Sequence, residues 1–430
     1  MKVGIYTLGC KVNIYESEYV EELLKNHGYI IVPFDEMADI YIINTCSVTN
    51  ESDRKSRKMI HQAKKRNDKA IIVAMGCYSQ THAEAIDADI VIGSQDKSKI
   101  LEYLDQYFSH SESIKKLYDV REETFFEAMN IHHFDNHTRA FVKIQDGCNA
   151  FCSYCIIPYA RGRARSKKYE DVVSEVSELV LNGYQEIVLT GIHTGRYGLD
   201  LENMNLEKLL RRLVEIPNIY RIRLSSIEVN EVTDGIIDLM KSSPVIARHL
   251  HIPLQSGSDK ILRRMNRCYD VAEFEEKVKK IREIDPDISL TTDLIVGFPG
   301  EMEEDFLETL DTLKRIHFTK IHTFPYSKRE NTPASVMKDQ VDGIVKKRRV
   351  KEVLKLSNEM ERAFYEKYLG RTLPGLSECS KKGEVSILTS NYIQVSVDGN
   401  IPNNQRCLVK ITKIDEQQKV YGEFVSYLEK

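Results

Sequence analysis

Residues 146–155 read Asp-Gly-Cys-Asn-Ala-Phe-Cys-Ser-Tyr-Cys, which sets Cys148, Cys152 and Cys155 at a C-x₃-C-x₂-C spacing. Thiols this close cannot each take a separate partner, but together they can wrap one cube of iron and sulfide. Four-iron clusters are held by thiolates at such short spacings, usually by four of them. Only three are local here, so one iron would lack a protein ligand. An open metal position is where a substrate or cosubstrate can bind. Two plainer readings stand beside this one: a zinc site with a remote fourth ligand, and unconnected thiols. Zinc sites usually read as two C-x₂₋₄-C pairs some distance apart, which this run does not.

Three further cysteines follow apolar runs in the first 120 residues. Val3–Tyr6 leads to Cys10, Ile40–Ile43 to Cys46, and Ala70–Ala74 to Cys77. Helix-like stretches, 14–26 and 50–65, lie between these strands. Strands alternating with helices predict a parallel sheet covered on both faces. In such sheets ligands bind beyond the carboxyl ends of the strands. Cys10, Cys46 and Cys77 would therefore meet on one rim, which suits a second metal cluster. Taken singly, each is equally an ordinary buried cysteine.

From 140 to 326 strands and helices alternate again. Strands are expected at 141–145, 186–190, 220–225, 250–254, 289–296 and 320–325, with helices such as 169–182 and 302–316 between them. Six units of this kind predict an open, barrel-like parallel sheet with its active residues past the strand ends. Those ends carry Thr190-Gly191, Glu228, Gln255-Ser256, Asp293 and Tyr326. A helix is expected over 341–369, with Gly370 as its C-cap. Beyond it, 384–387 and 393–397 alternate apolar and polar residues as a small antiparallel barrel would. Cys268, Cys379 and Cys407 fit no cluster spacing and are read as structural.

Composition sets the outer bounds. The chain has 430 residues, 42% of them hydrophobic, and a formal net charge of −4. Two or three domains are expected, and any nucleic-acid footprint must be local. No stretch has the apolar length of a membrane span. The start lacks the layout of a signal peptide, so a cytoplasmic protein is expected. Nine cysteines without an export signal favour metal or catalysis over disulfides. Basic runs at 54–69 and at Arg161, Arg163, Arg165, Lys167 and Lys168 read equally as phosphate contacts or as solvated charge.

The 146–155 run resembles the cluster loop of radical S-adenosylmethionine (SAM) enzymes. Thr7-Leu8-Gly9-Cys10-Lys11-Val12-Asn13, Asn44-Thr45-Cys46 and Gly76-Cys77-Tyr78 resemble the N-terminal domain of the methylthiotransferases within that class. The resemblance implies three domains and their joints. These are an α/β domain at 1–120, a linker at 121–138, a radical SAM core at 139–335, a connecting helix at 336–370, and a TRAM-like RNA-binding barrel at 371–430. It implies [4Fe-4S] clusters on both cysteine trios, the one at Cys148, Cys152 and Cys155 being catalytic. Thr190, Gly191, Glu228, Gln255, Ser256, Asp293 and Tyr326 would contact SAM or substrate. Two SAM molecules would be used, one to methylate a sulfur on the auxiliary cluster and one to generate a 5′-deoxyadenosyl radical.

Lys11-Val12 resembles the branch that adds methylthio to C2 of N6-threonylcarbamoyladenosine, beside the tRNA anticodon. The implied partners are a tRNA anticodon stem-loop, an electron donor such as flavodoxin or ferredoxin, and a sulfur source. The alternatives are methylthiolation of isopentenyladenosine in tRNA or of a ribosomal-protein side chain. A non-enzymatic iron-sulfur RNA-binding protein is the remaining one.

Overall fold

The computed structural model describes the chain apart from residues 121, 123, 124, 135, 136, 382 and 430, and apart from the side chains at 379–381. Cys379 therefore lies outside the described side chains. In the N-terminal unit six strands run parallel: Lys2–Thr7, Ile30–Val32, Ile40–Thr45, Ile71–Gly76, Ile90–Ile92 and Ile114–Lys116. They lie in the order second, first, third, fourth, fifth, sixth. Every residue of the third and fourth strands is buried, because helices cover both faces of a parallel sheet. The chain turns one way from the first strand to the second and the other way to the third. A crevice opens where strand order reverses like this, at the carboxyl ends. Cys10 and Cys46 follow the two strands that flank it.

The central unit has six parallel strands: Ala140–Lys143, Glu186–Thr190, Arg221–Leu224, His249–His251, Ser289–Val296 and Lys320–Pro325. Three form one sheet and three another, joined by the bridges Ile222–Ile246 and Ser226–His251. Among the described residues no pairing joins the first of these strands to the last, so the barrel is open, as expected. Its helices include Tyr169–Leu181, Val271–Ile284 and Glu303–Ile316. Their apolar faces and the strands share one core, in which Val176, Leu189, Leu224, Phe274 and Leu313 are buried.

The helix Gly343–Glu366 starts at Asp342, whose carboxylate accepts the Ile344 amide at 2.7 Å. It packs on the last barrel strand, where Ser357 Oγ accepts the Ile321 amide at 3.0 Å. After it, five strands close a small barrel: Thr372–Lys381, Glu384–Thr389, Gln394–Asp398, Arg406–Ile414 and Val420–Tyr427. Its pairings are antiparallel except between the third and fifth strands, which run parallel. Cys407 is buried in its core with Val385, Val395 and Ile411, while Cys268 is exposed. No helix among the described residues is long and apolar enough to cross a membrane.

Candidate functional site

Cys10 is the N-cap of the helix Lys11–Asn26, and Cys77 begins the short helix Cys77–His82. Gly9 has φ of +100°, and a Cβ there would stand 2.9 Å from the Cys46 sulfur. Only glycine lets the first and second cysteine loops approach so closely. Asn13 straps them together, its amide donating to Leu8 O at 2.6 Å and to Thr45 O at 3.0 Å. Burial first, then the neighbouring Cys77, push the Cys46 thiol up to about 11. The structure thus brings Cys10, Cys46 and Cys77 onto one rim.

The second trio lies in the loop after Ala140–Lys143. Cys152 is buried, and its sulfur accepts from Arg267 Nη1 at 3.1 Å. Arg267 also pairs with Glu228. The Cys148 sulfur lies 3.3 Å from His193 Nδ1, and Glu231 stands 2.7 Å from the other ring nitrogen. Burial pulls the His193 ring down, but Cys148 and Glu231 outweigh it and raise its pKa to about 10. Burial pushes Cys155 up to about 12. Bare thiols at Cys152 and Cys155 would stay protonated at neutral pH, both being pushed up by burial. Thiolates would need the added positive charge of a metal centre, and cationic N–H donors already point at two of the three sulfurs. Among the described residues no three His, Cys, Asp or Glu side chains close around a single ion. All three members of each trio are sulfur donors, the ligand type that iron-sulfur clusters take.

The two trios are linked by Arg161, whose side chain is fully buried. It leaves the short helix that follows Cys155 and donates through Nε to the Cys77 sulfur at 3.2 Å. Nη1 reaches Glu16 at 2.9 Å and Asp146 at 3.0 Å, and Nη2 reaches Asn13 Oδ1 at 2.7 Å. Lys143 and Lys97 complete this buried network, at 2.9 and 3.2 Å from Glu16. Arg165 and Lys167 are buried as well, Lys167 on Glu175 at 2.7 Å. Of the basic run after the cluster loop, only Arg163 and Lys168 face solvent. The reading of that whole run as phosphate contacts or solvated charge is corrected accordingly. Its inward members face carboxylates of this chain: Glu16 and Asp146 for Arg161, Asp146 for Arg165 and Glu175 for Lys167.

Two cavities flank the cysteines. One, of about 210 Å³, is lined by Cys155, Val48, Thr49, Gln255, Asp293, Phe324, Tyr326 and other residues. Gln255 holds φ of +64°, and its backbone bridges to Leu294. The second, of about 620 Å³, runs from Cys10, Lys11 and Thr190-Gly191 through the barrel to Tyr392 of the C-terminal barrel. Removal from water, then Arg139 and Arg223, bring the Lys11 ammonium down to about 8. Glu228 joins neither cavity lining but holds Arg267 against Cys152. Ser256 is buried with its hydroxyl turned to the Ser258 amide at 3.3 Å, away from both cavities. Of the residues expected to contact SAM or substrate, Gln255, Asp293 and Tyr326 line the first cavity, Thr190 and Gly191 the second, and Glu228 and Ser256 neither. His193 and Arg267, which touch the cysteines, went unselected in the sequence, and Arg161 was selected there only as a phosphate contact or solvated charge. His193 was visible within the glycine turn after Thr190, whereas nothing near Arg267 pointed to Cys152.

Residues 142–313 match the Radical SAM superfamily, and residues 2–93 match a family described as Uncharacterized protein family UPF0004. The chain is 42% identical to the threonylcarbamoyladenosine tRNA methylthiotransferase MtaB of Bacillus subtilis, over 99% of this chain and 97% of that one. It is 41% identical to the MtaB of Aquifex aeolicus, over 93% and 97%. It is 38% identical to a tRNA-2-methylthio-N(6)-dimethylallyladenosine synthase of Clostridium tetani, over 95% and 93%. Among solved structures, the radical SAM methyltransferase TsrM from Kitasatospora setae matches with a TM-score of 0.56 at 16% identity. That match covers 78% of this chain and 75% of TsrM, and it speaks to the fold alone.

Proposed function

This chain belongs to the radical SAM tRNA methylthiotransferases, and from that premise we propose that it converts N6-threonylcarbamoyladenosine in tRNA to its 2-methylthio derivative. The observation that carries the reading is the pairing of two cysteine trios across one interface, linked by Arg161. Cys148, Cys152 and Cys155 would hold the cluster that binds SAM, and Cys10, Cys46 and Cys77 an auxiliary cluster. When bound, the first cluster and SAM supply a hydrogen-abstracting radical, and the second presents sulfur. The protein supplies placement and exclusion of water.

Arg267 and His193 hold the Cys152 and Cys148 sulfurs with N–H groups at 3.1 and 3.3 Å. Gln255, Asp293, Phe324 and Tyr326 line a cavity beside Cys155 that would take the adenosine part of SAM. The cleft beside Cys10 would take the target base, which must leave its stack to enter. Arg329 clamps the loop after Cys46 to the end of the barrel. It reaches Asp53 at 2.7 Å, Ser47 at 2.9 Å and Asn50 at 2.7 Å. This fixes the N-terminal rim over the barrel mouth. The C-terminal barrel at 371–430 would grip RNA, and an external electron donor and sulfur source complete the cycle.

The test is mass spectrometry of tRNA nucleosides from a strain lacking the gene, with and without the gene restored. The expected result is that 2-methylthio-N6-threonylcarbamoyladenosine disappears and returns. Loss of the dimethylallyl analogue instead would keep the chemistry and overturn the substrate. No change in either would overturn the tRNA reading.

A further inference from the structure

The cleft between Cys10 and Tyr392 carries cations and carboxylates in unequal number. Glu378 is matched by Arg139 at 2.8 Å, and Glu361 by Lys320 at 2.8 Å. Lys11 lines the same cleft beside Cys10, and no carboxylate among the described residues stands within ion-pair distance of it. Three further polar atoms of the lining residues are buried and unpartnered: the Ser225 and Ser289 hydroxyls and His249 Nδ1, in residues 6%, 1% and 6% exposed. Buried polar groups are nearly always satisfied in a native protein, so orphaned ones in a cleft wall point to a polar ligand. An unmatched ammonium beside them points to a ligand with negative charge.

We propose that this cleft recognises the carboxylate on the N6 side chain of the target base. Lys11 supplies the counter-charge, while Ser225 and His249 offer polar contacts to the carbamoyl and hydroxyl groups. The inference rests on the threonylcarbamoyladenosine reading and extends it to the residue that selects the substituent. The dimethylallyl group is apolar and offers Lys11 nothing. A site that leaves a buried charge unpaired rejects the ligand lacking its partner. Lys11 follows Cys10 directly, so charge recognition and the sulfur-bearing rim sit side by side. The N6 substituent would then fix how the ring enters relative to Cys10.

The experiment measures binding of reconstituted enzyme to anticodon stem-loop RNAs that differ only in this group. One carries threonylcarbamoyladenosine and the other its carboxylate methyl ester. The wild type is expected to prefer the free carboxylate by about tenfold or more, the size of one charge-assisted contact. Lys11→Met should erase that preference, and Lys11→Arg should keep most of it. The ratio is taken within each variant, so a general loss of folding or of iron weakens both RNAs alike and does not mimic the result. An unchanged preference in Lys11→Met, with wild-type turnover of the threonylcarbamoyl loop intact, would overturn the role of Lys11 alone. A wild type that turns over only a dimethylallyl loop would overturn the substrate reading beneath it.

Discussion

Replacing Arg161 with Met removes a guanidinium shared by Glu16, Asp146, Asn13 and Cys77, all within 3.2 Å. Breaking a buried ion pair by deleting one partner costs about 3–5 kcal/mol. Lys143 still faces both carboxylates after the change, at 2.9 and 2.7 Å, and Lys97 still faces Glu16. The loss should therefore fall near the lower end, about 3 kcal/mol. With urea slopes of about 1–3 kcal/mol per M, the unfolding midpoint should drop by about 1 M or more. The assay is urea denaturation of cluster-free, reduced protein, followed by circular dichroism at several pH values. Burial pushes the Glu16 carboxyl up, but Arg161, Lys143 and Lys97 more than offset it and hold it below the usual range. Asp146 is likewise depressed, by Arg161, Lys143 and Arg165 against burial. Depressed carboxyls stabilise above the unfolded pKa, about 4, and lose that contribution as pH falls. The gap between wild type and variant should thus be full at neutral pH and shrink below about pH 4. A gap no larger than that of a surface bridge, about 0–1 kcal/mol, would refute the reasoning. So would a gap that widens on acidification.

Four other substitutions separate the parts of the machine. Cys152→Ala should abolish SAM cleavage, whereas Cys46→Ala should leave SAM cleavage and stop methylthio transfer. Transfer persisting in Cys46→Ala would sink the two-cluster mechanism. Gly147→Ala should cut the iron retained after reconstitution, because φ there is +70° and a Cβ would collide with the Arg163 carbonyl; wild-type iron content would contradict this. Arg223→Met should loosen the C-terminal barrel. Arg223 reaches the Thr389 and Ser390 carbonyls at 3.3 Å each and stacks over Tyr392 at 4.7 Å. Losing about 1–3 kcal/mol of docking should speed limited proteolysis between 336 and 370 about tenfold or more, and an unchanged cleavage rate would count against that contact.

What the sequence revealed and what it concealed divide along a physical line. Long periodic segments were legible: the strands at 186–190, 289–296 and 320–325 appear with the expected bounds. Ile30–Val32, Ile90–Ile92 and Ile114–Lys116 were missed because three residues cannot display a period. Cysteines at strand ends were legible because topology alone carries them to one rim. Partners were not, since Arg161 meets Glu16 across 145 residues and Arg267 meets Cys152 across 115. A basic run beside a cluster loop reads the same whether its arginines end on phosphate or on buried carboxylates. The difference lies in where Glu16, Asp146 and Glu175 fall once the N-terminal sheet and the barrel have packed. The same argument explains Lys11. Its neighbour Cys10 announces chemistry, but only the folded cleft shows that Arg139 and Lys320 have partners, while among the described residues no carboxylate stands within ion-pair distance of Lys11. In this fold a cation left unmatched in a polar cleft is more informative than the many cations in the charged runs, because those can be satisfied by the chain itself.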